Sequence, residues 1–227
     1  MQLASRYFQW QADLAASALG ARVVEVGCGL GNFTQHLLGR ELVIATDVEP
    51  SCTERLAARF PNRSNLVIHT ADVLSPEFPL LAQHNPDSVV CLNVLEHVED
   101  DALALRQMHR VLPAGGRVVL IVPAFMALYG TIDRLLGHYR RYSKQSVRDL
   151  AHQTGFGVTT LRYMNTVGCL GWWANARILR RTEQSEAQIK VFDRWIVPLM
   201  RRVETAVPPP FGQSLFVILE KPAAGPR

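Results

Sequence analysis

Residues 22–33, RVVEVGCGLGNF, join a run of β-branched residues to three closely spaced glycines, Gly27, Gly29 and Gly31. A strand that is apolar on both faces is buried on both faces, which calls for a parallel sheet covered by helices. A glycine turn at the carboxyl end of such a strand lets the backbone approach a ligand where a Cβ would collide. The unit therefore predicts an α/β fold whose ligand site lies beyond the carboxyl ends of the strands.

The alternation continues through the first half of the chain. Residues 5–19 read as a helix with Tyr7, Trp10 and Leu14 on one face. Strands are predicted at 22–26, 42–47, 65–72, 87–93 and 117–124, and helices at 32–39, 51–60 and 100–112. Ser51 is the expected cap of the second of these helices, and Pro61 lies just past its end. Farther on, SKQSVRDLAHQTG (143–155) reads as a helix capped by Ser143 and closed by Gly155, followed by a sixth strand at 156–164. Residues 164–207 are helical and dense in Trp, Arg and Pro, and GQSLFVILEKP (212–222) is a last strand. The length of 227 residues suits one domain. We divide it into an N-terminal helix and lid (1–19), a cofactor-binding core (20–125), a substrate-side segment (126–142) and a helical cap (164–207).

Composition narrows the partners. Hydrophobic residues make up 48% and charged residues 19%, as in a folded globular protein. The net charge of +4 is spread over short runs, GHYRRY (137–142), ILRR (178–181) and LMRR (199–202), rather than one long stripe. No nucleic-acid partner is expected from that pattern. The four cysteines, Cys28, Cys52, Cys91 and Cys169, are dispersed, which argues against a zinc knuckle or disulfide framework and for a reducing cytoplasm. No secretory signal or spanning helix is read from the chain. Trp beside Arg in NTVGCLGWWANARILRR (165–181) and FDRWIVPLMRR (192–202) suits either helices packed over the sheet edge or peripheral contact with a membrane surface.

The glycine loop departs from the dinucleotide fingerprint G-x-G-x-x-G. Gly27 and Gly29 fit, but Asn32 stands at the third position and Gly31 falls one residue early. A pyrophosphate wants a helix N-terminus; the acid Glu25 beside this loop suits a ligand with cationic groups instead. Asp47 ends the second strand, where a carboxylate can accept both hydroxyls of a ribose. In TADVL (70–74), Asp72 stands where it can accept an adenine amino group, and the Val73 N–H can meet a ring nitrogen. LNVLEHV (92–98) ends the fourth strand and VLPAGGRVVLIVP (111–123) carries the fifth.

In order and spacing over residues 20–125, these stretches resemble the class I S-adenosylmethionine-dependent methyltransferases. The resemblance implies a Rossmann-like seven-stranded sheet with helices on both faces, a C-terminal helical insertion, and a last strand slotted antiparallel into the sheet edge. It implies S-adenosylmethionine as cofactor and S-adenosylhomocysteine as product. It implies cofactor contacts from Glu25, Gly27, Cys28, Gly29, Asn32, Asp47, Val48, Asp72, Val73 and the Asn93 backbone.

Methyl transfer is an in-line displacement, and a hydroxyl acceptor also needs a base near at hand. His97 and His138 are the candidate catalytic residues. The run around His97 resembles quinone-pathway O-methyltransferases; the competing reading is a histidine that caps the next helix or packs under its loop. GHYRRYS (137–143) resembles a bacterial subgroup found alongside sugar- or lipid-transfer functions. Tyr129, Arg140, Arg141 and Tyr142 are expected to grip an anionic or polyhydroxylated acceptor, or else to start a surface helix, with Tyr7 and Trp172 as further substrate contacts. No metal is expected: some members of the family that this chain resembles bind a divalent metal through E-x-x-E-H at this point, but Asn93 stands at the first position here, and a magnesium site wants more carboxylates. The expected activity is O-methylation of an apolar, quinone-, lipid- or natural-product-like small molecule. The alternatives are a nucleic-acid methyltransferase, a non-catalytic cofactor-binding subunit and a NAD-linked dehydrogenase. The oligomeric state is left open.

Overall fold

The computed structural model describes residues 4–174 and 186–223. Helix α1 (Ser5–Ala15) leads into β1 (Arg22–Val26), the short α2 (Thr34–Leu37), β2 (Leu42–Asp47), α3 (Pro50–Arg59) and β3 (Leu66–Thr70). A 3-10 segment (Phe78–His84) precedes β4 (Ser88–Leu92), followed by α4 (Asp101–Val111) and β5 (Arg117–Pro123). After β5 come α5 (Thr131–Leu135), α6 (Lys144–Gln153) and β6 (Gly157–Met164). The described part of the insertion holds α7 (Thr166–Ala174), α8 (Glu186–Val191), a π-helical turn (Phe192–Ile196) and α9 (Val197–Ala206), before β7 (Ser214–Glu220).

The strands form one sheet in the order β3-β2-β1-β4-β5-β7-β6. The first five strands in that order run parallel, and β7 pairs antiparallel with both β5 and β6. The last strand therefore lies inside the sheet, and β6 takes the edge expected for it. Strand order reverses between β1 and β4, and such a switch point opens a crevice at the carboxyl ends. One face of the sheet packs Val24, Val89, Val118 and Val217 against α4 and α6 through Leu105, Met108 and Val147. The other packs Val23, Val43, Val90 and Val119 against Trp10 of α1 and against Val197 and Met200 of α9. The continuous apolar runs of β4 and β5 are thus buried from both sides.

Local chemistry sets the helix ends. The Asp100 carboxylate accepts from the Leu103 N–H at 2.7 Å and starts α4. Ser143 accepts from the Ser146 N–H at 3.0 Å and starts α6, as expected. Ser51 caps nothing: Pro50 occupies the first turn of α3, where its missing N–H costs nothing. In α1 the N–H groups of Arg6 and Tyr7 donate to Asp193, at 3.2 and 2.9 Å, tying the N-terminal helix to the insertion.

Candidate active site

The glycine loop leaves β1 with Gly27 at φ +77° and Gly29 at φ +50°, both in the left-handed region. The Gly27 and Cys28 N–H groups donate to the Thr46 carbonyl at 2.8 and 2.9 Å, which pins the turn to β2. A Cβ on Gly27 would meet Val94 Cγ2 at 2.3 Å, whereas one on Gly29 would meet nothing within 4 Å. Gly29 thus borders open space at the carboxyl end of the sheet. Asp47 accepts from the Gly29 N–H at 2.8 Å through Oδ2 and from the Glu49 N–H at 3.0 Å through Oδ1. It shapes the loop as well as facing it.

Glu25 is 3% exposed, and its Oε2 has no hydrogen-bond partner among the described residues. Burial, with the Asp47 charge adding to it, pushes its carboxyl up to about 8. An orphaned buried carboxyl is costly unless a donor or cation completes it. That oxygen and the open side of Gly29 fit a ligand whose cationic amino-acid end enters the loop. Asp72 is exposed beyond β3 and accepts from the Leu74 N–H at 2.8 Å, while the Val73 side chain is buried in the core. Val48 stands exposed after Asp47.

A second cluster gathers on the other side of the switch point. Asn93 ends β4 at φ +53°, its N–H donating to the Ile121 carbonyl at 2.8 Å. Glu96 is 1% exposed, its Oε2 is also unpartnered among the described residues, and burial pushes it up to about 7. The rings of His97 and His138 meet edge to face, 4.6 Å between centroids. Burial lowers the His97 pKa and the neighbouring His138 lowers it further, against a hydrogen bond to the Leu136 backbone. His138 Nδ1 lies 3.0 Å from Asp133 Oδ1. Asp133 is fully buried and takes Arg141 in a fork, Nε at 2.7 Å and Nη2 at 3.1 Å, besides the Gly130 N–H at 2.9 Å. Burial opposes its ionisation, but these partners hold it below the usual carboxylate range. The Tyr139 N–H donates to the Glu96 carbonyl at 2.8 Å, closing the substrate-side segment onto the turn after β4.

A family model described as a methyltransferase domain matches residues 2–161. The chain belongs to the class I S-adenosylmethionine-dependent methyltransferases. A ubiquinone biosynthesis O-methyltransferase of Xanthomonas oryzae pv. oryzae is 30% identical over 190 residues, covering 78% of this chain and 77% of that one. Among solved structures, the N-methyltransferase NodS of Bradyrhizobium japonicum, bound to S-adenosylhomocysteine, aligns with a TM-score of 0.60 at 18% identity over 96% of this chain and 86% of that one. An S-adenosylmethionine-dependent methyltransferase of Mesorhizobium loti aligns at 0.61 and 18% identity, over 96% and 98%. The cofactor of this methyltransferase is S-adenosylmethionine, which the Glu25 and Gly29 surroundings accommodate.

Several side chains expected to touch ligands are spoken for. Asn32 Oδ1 accepts from Arg59 Nη1 at 3.2 Å, so its side chain braces the loop against α3. The Cys28 side chain is buried with Ala45 and Leu56, and burial raises its thiol pKa; only its backbone borders the loop. Arg141 is no ligand clamp: it is buried, forked on Asp133, donates to the Ala124 carbonyl at 3.2 Å and lies 4.8 Å under the Trp172 ring. Tyr142 is buried and donates to Asp101 at 2.9 Å. Arg140 pairs with the same Asp101 at 2.7 Å, and Tyr129 donates to the His138 carbonyl at 2.7 Å. These four residues build the segment that carries His138. Tyr7 is half-buried, 3.5 Å from the Asn165 amide after β6, and Trp10 lies wholly in the core. Glu96 is the residue of this cluster that the sequence reading gave no role, although it stands next to His97 in a run already singled out; Asp133 was counted only as one of the polar residues crowding the substrate-side segment.

Proposed function

We propose that this methyltransferase methylates a hydroxyl group on an apolar small molecule. The observation that carries the reading is the imidazole pair at the carboxyl end of β4, backed by Asp133. A hydroxyl is a poor nucleophile until its proton is drawn off, and His97, held below its ordinary pKa, is unprotonated at neutral pH. The Asp133 carboxylate orients the His138 ring through Nδ1 at 3.0 Å. S-adenosylmethionine, when bound, supplies an electrophilic methyl group. Glu25, Asp47 and the loop backbone hold it; the substrate-side segment shields the acceptor from water. An amine acceptor needs no such basic centre.

The apolar character of the acceptor is supported by aromatic groups around the same end of the sheet. Phe125, at φ +63° after β5, stacks on Tyr163 of β6 with centroids 5.0 Å apart. The O-methyltransferase similarity favours a quinone-like or phenolic acceptor. The insertion fits a meeting with that acceptor at a membrane surface. Val191, Trp195, Leu199 and Val203 are exposed, Trp195 to 67%, along one helical stretch. From α8 through α9 the exposed ionic side chains are Glu186, Lys190, Arg194, Arg201 and Arg202, with Lys190 paired to Glu186 at 3.5 Å and Arg201 to Asp13 at 2.7 Å, while Asp193 and Glu204 are buried. Such a face suits an anionic interface. Among the described residues, no helix is long and apolar enough to cross a membrane.

The test is transfer of a labelled methyl group to a panel of apolar phenols and catechols, matched amines and bulk tRNA. Label in the hydroxyl compounds alone supports the proposal. Label in the amines or tRNA alone overturns it.

A further inference from the structure

We propose that Gln11, beside Tyr7, hydrogen-bonds a neutral oxygen substituent of the acceptor, a carbonyl or hydroxyl carried away from the atom that is methylated. This contact deepens the proposed hydroxyl methylation and rests on it. Gln11 is 1% exposed, and neither Nε2 nor Oε1 has a hydrogen-bond partner at bonding geometry among the described residues. A carboxamide brings two donors and two lone pairs into the core, and leaving them unmet is costly. An apolar side chain would fill the same place at no such cost.

Gln11 stands one helical turn beyond Tyr7, on the same face of α1. Burial raises the Tyr7 pKa against the pull of Asn165, Gln11 and Ser214, which sets its hydroxyl among those three groups. At Oη the bond donated by the Asn165 amide is long, 3.5 Å. The rest of the cluster is spent on the fold. Asn165 Oδ1 accepts from the Gly168 N–H at 2.9 Å, and its Nδ2 donates to Gln213 Oε1 at 2.9 Å. Glu204 accepts from the Asn165 and Thr166 N–H groups, both at 2.9 Å. That frame fixes the surroundings of Tyr7 and leaves the Gln11 carboxamide over.

Position and charge indicate what completes it. Ser214 opens β7 opposite Pro123, the last residue of β5, and β5 pairs with β4. Two strand spacings, about 10 Å, therefore separate the cluster from the end of β4, a gap that one substituted ring can span. The groups that bear on Glu25 are Thr34 and Asp47, whereas those that bear on Tyr7 are Asn165, Gln11, Ser214 and Glu204, so this cluster is separate from the glycine loop. The Glu204 charge is felt by Tyr7 and is answered by Arg162. A carboxylate brought to Gln11 would be stripped of water beside a buried acid whose cation is already engaged. A carbonyl takes the Nε2 donor without that cost, and a hydroxyl serves Nε2 or Oε1.

The experiment uses the full chain saturated with S-adenosylhomocysteine and three ring-matched probes, para-hydroxyacetophenone, para-ethylphenol and para-hydroxybenzoate. Binding is followed by the side-chain amide signals of the glutamines, with Gln11 assigned through Gln11→Met. The ketone should move the Gln11 signals and bind at least tenfold tighter than the other two, the worth of about one hydrogen bond. Gln11→Met should bring the ketone and the ethyl compound to within about twofold of each other, with the affinity for S-adenosylhomocysteine unchanged. If Gln11→Met fails to fold, the Gln11 signals of the unaltered protein, assigned through bonds, must still move with the ketone and stay with the ethyl compound. No binding of any probe, the same preference in Gln11→Met, or a cofactor affinity that falls tenfold in that variant overturns the contact. Ketone preference without methyl transfer to any hydroxyl would sink hydroxyl methylation and keep the contact; hydroxyl transfer without the preference would do the reverse.

Discussion

Lowering the pH should weaken cofactor binding through one group, Glu25. Its carboxyl is pushed up to about 8 by burial, with the Asp47 charge adding to the effect against a hydrogen bond with Thr34 that lowers it. A cationic amino group entering the loop favours the ionised form, so binding releases the proton that the free protein holds. Below the free-state pKa the dissociation constant should rise tenfold per pH unit; above it the curve flattens. At about pH 6, roughly two units below that value, ionising Glu25 costs about 2.7 kcal/mol, a hundredfold in Kd. The assay is calorimetric titration with S-adenosylhomocysteine from about pH 6 to about pH 9, in buffers of different ionisation enthalpy so that released protons are counted. Glu25→Gln removes the titrating group and retains the ligand's own titration, so the difference between the two proteins isolates Glu25. A flat Kd between about pH 6 and pH 8 with no proton release would refute the reasoning, as would the same slope in Glu25→Gln.

Other expectations are as direct. Gly29→Ala should stay folded and lose at least tenfold in cofactor affinity, because its Cβ enters open ligand space at a strain of about 1–2 kcal/mol; Gly27→Ala, colliding with Val94, should also lose stability by about 1–3 kcal/mol in urea. Equal stability of the two would count against the loop geometry. Asp133→Ala strands the buried Arg141 guanidinium and should cost about 3–5 kcal/mol, whereas Asp133→Ala combined with Arg141→Met should cost less; a larger loss in the double variant would show that the pair is not the issue. Trp195→Glu should abolish co-sedimentation with phosphatidylglycerol vesicles at unchanged cofactor affinity, and equal binding of both proteins would leave the exposed stripe without that role. Without ligands, stability should fall as pH rises from about 4.5 to about 8, since Glu25 and Glu96 stay protonated in the fold while the unfolded chain ionises; a melting temperature that rises over that window in the unaltered protein, and not in Glu25→Gln, would contradict the sign.

Much of the fold was legible because its strands are buried on both faces. Continuous apolar runs placed β1, β2, β4 and β5 to within a residue or two, and alternation with helices fixed their parallel order. Pro50 displaced the expected cap at Ser51 because a proline in the first turn needs no capping partner for its missing N–H. The placement of the cofactor-side candidates was legible for a related reason: they sit at strand ends, where position in sequence is position in space. The acceptor half was not. Arg140, Arg141 and Tyr142 carry the chemistry of ligand recognition and spend it on Asp101 and Asp133, acids whose role depends on where a loop turns back. Periodicity has nothing to say about such a loop.

The two buried carboxyls lie on either side of the point where the strand order reverses, and Oε2 of each has no hydrogen-bond partner among the described residues. Glu25 follows the course of β1 toward the cofactor loop, while Glu96 follows β4 toward the histidines. A fold that served only its own stability would have matched them, as it matched Asp133 with Arg141, Asp193 with the start of α1 and Glu204 with the N–H groups of Asn165 and Thr166. The chain satisfies these structural acids from within, whereas one oxygen of Glu25 and one of Glu96 are open to a ligand group. On this argument the cofactor's amino group is the completion expected at Glu25, and a group from the histidine side of the switch point the one expected at Glu96.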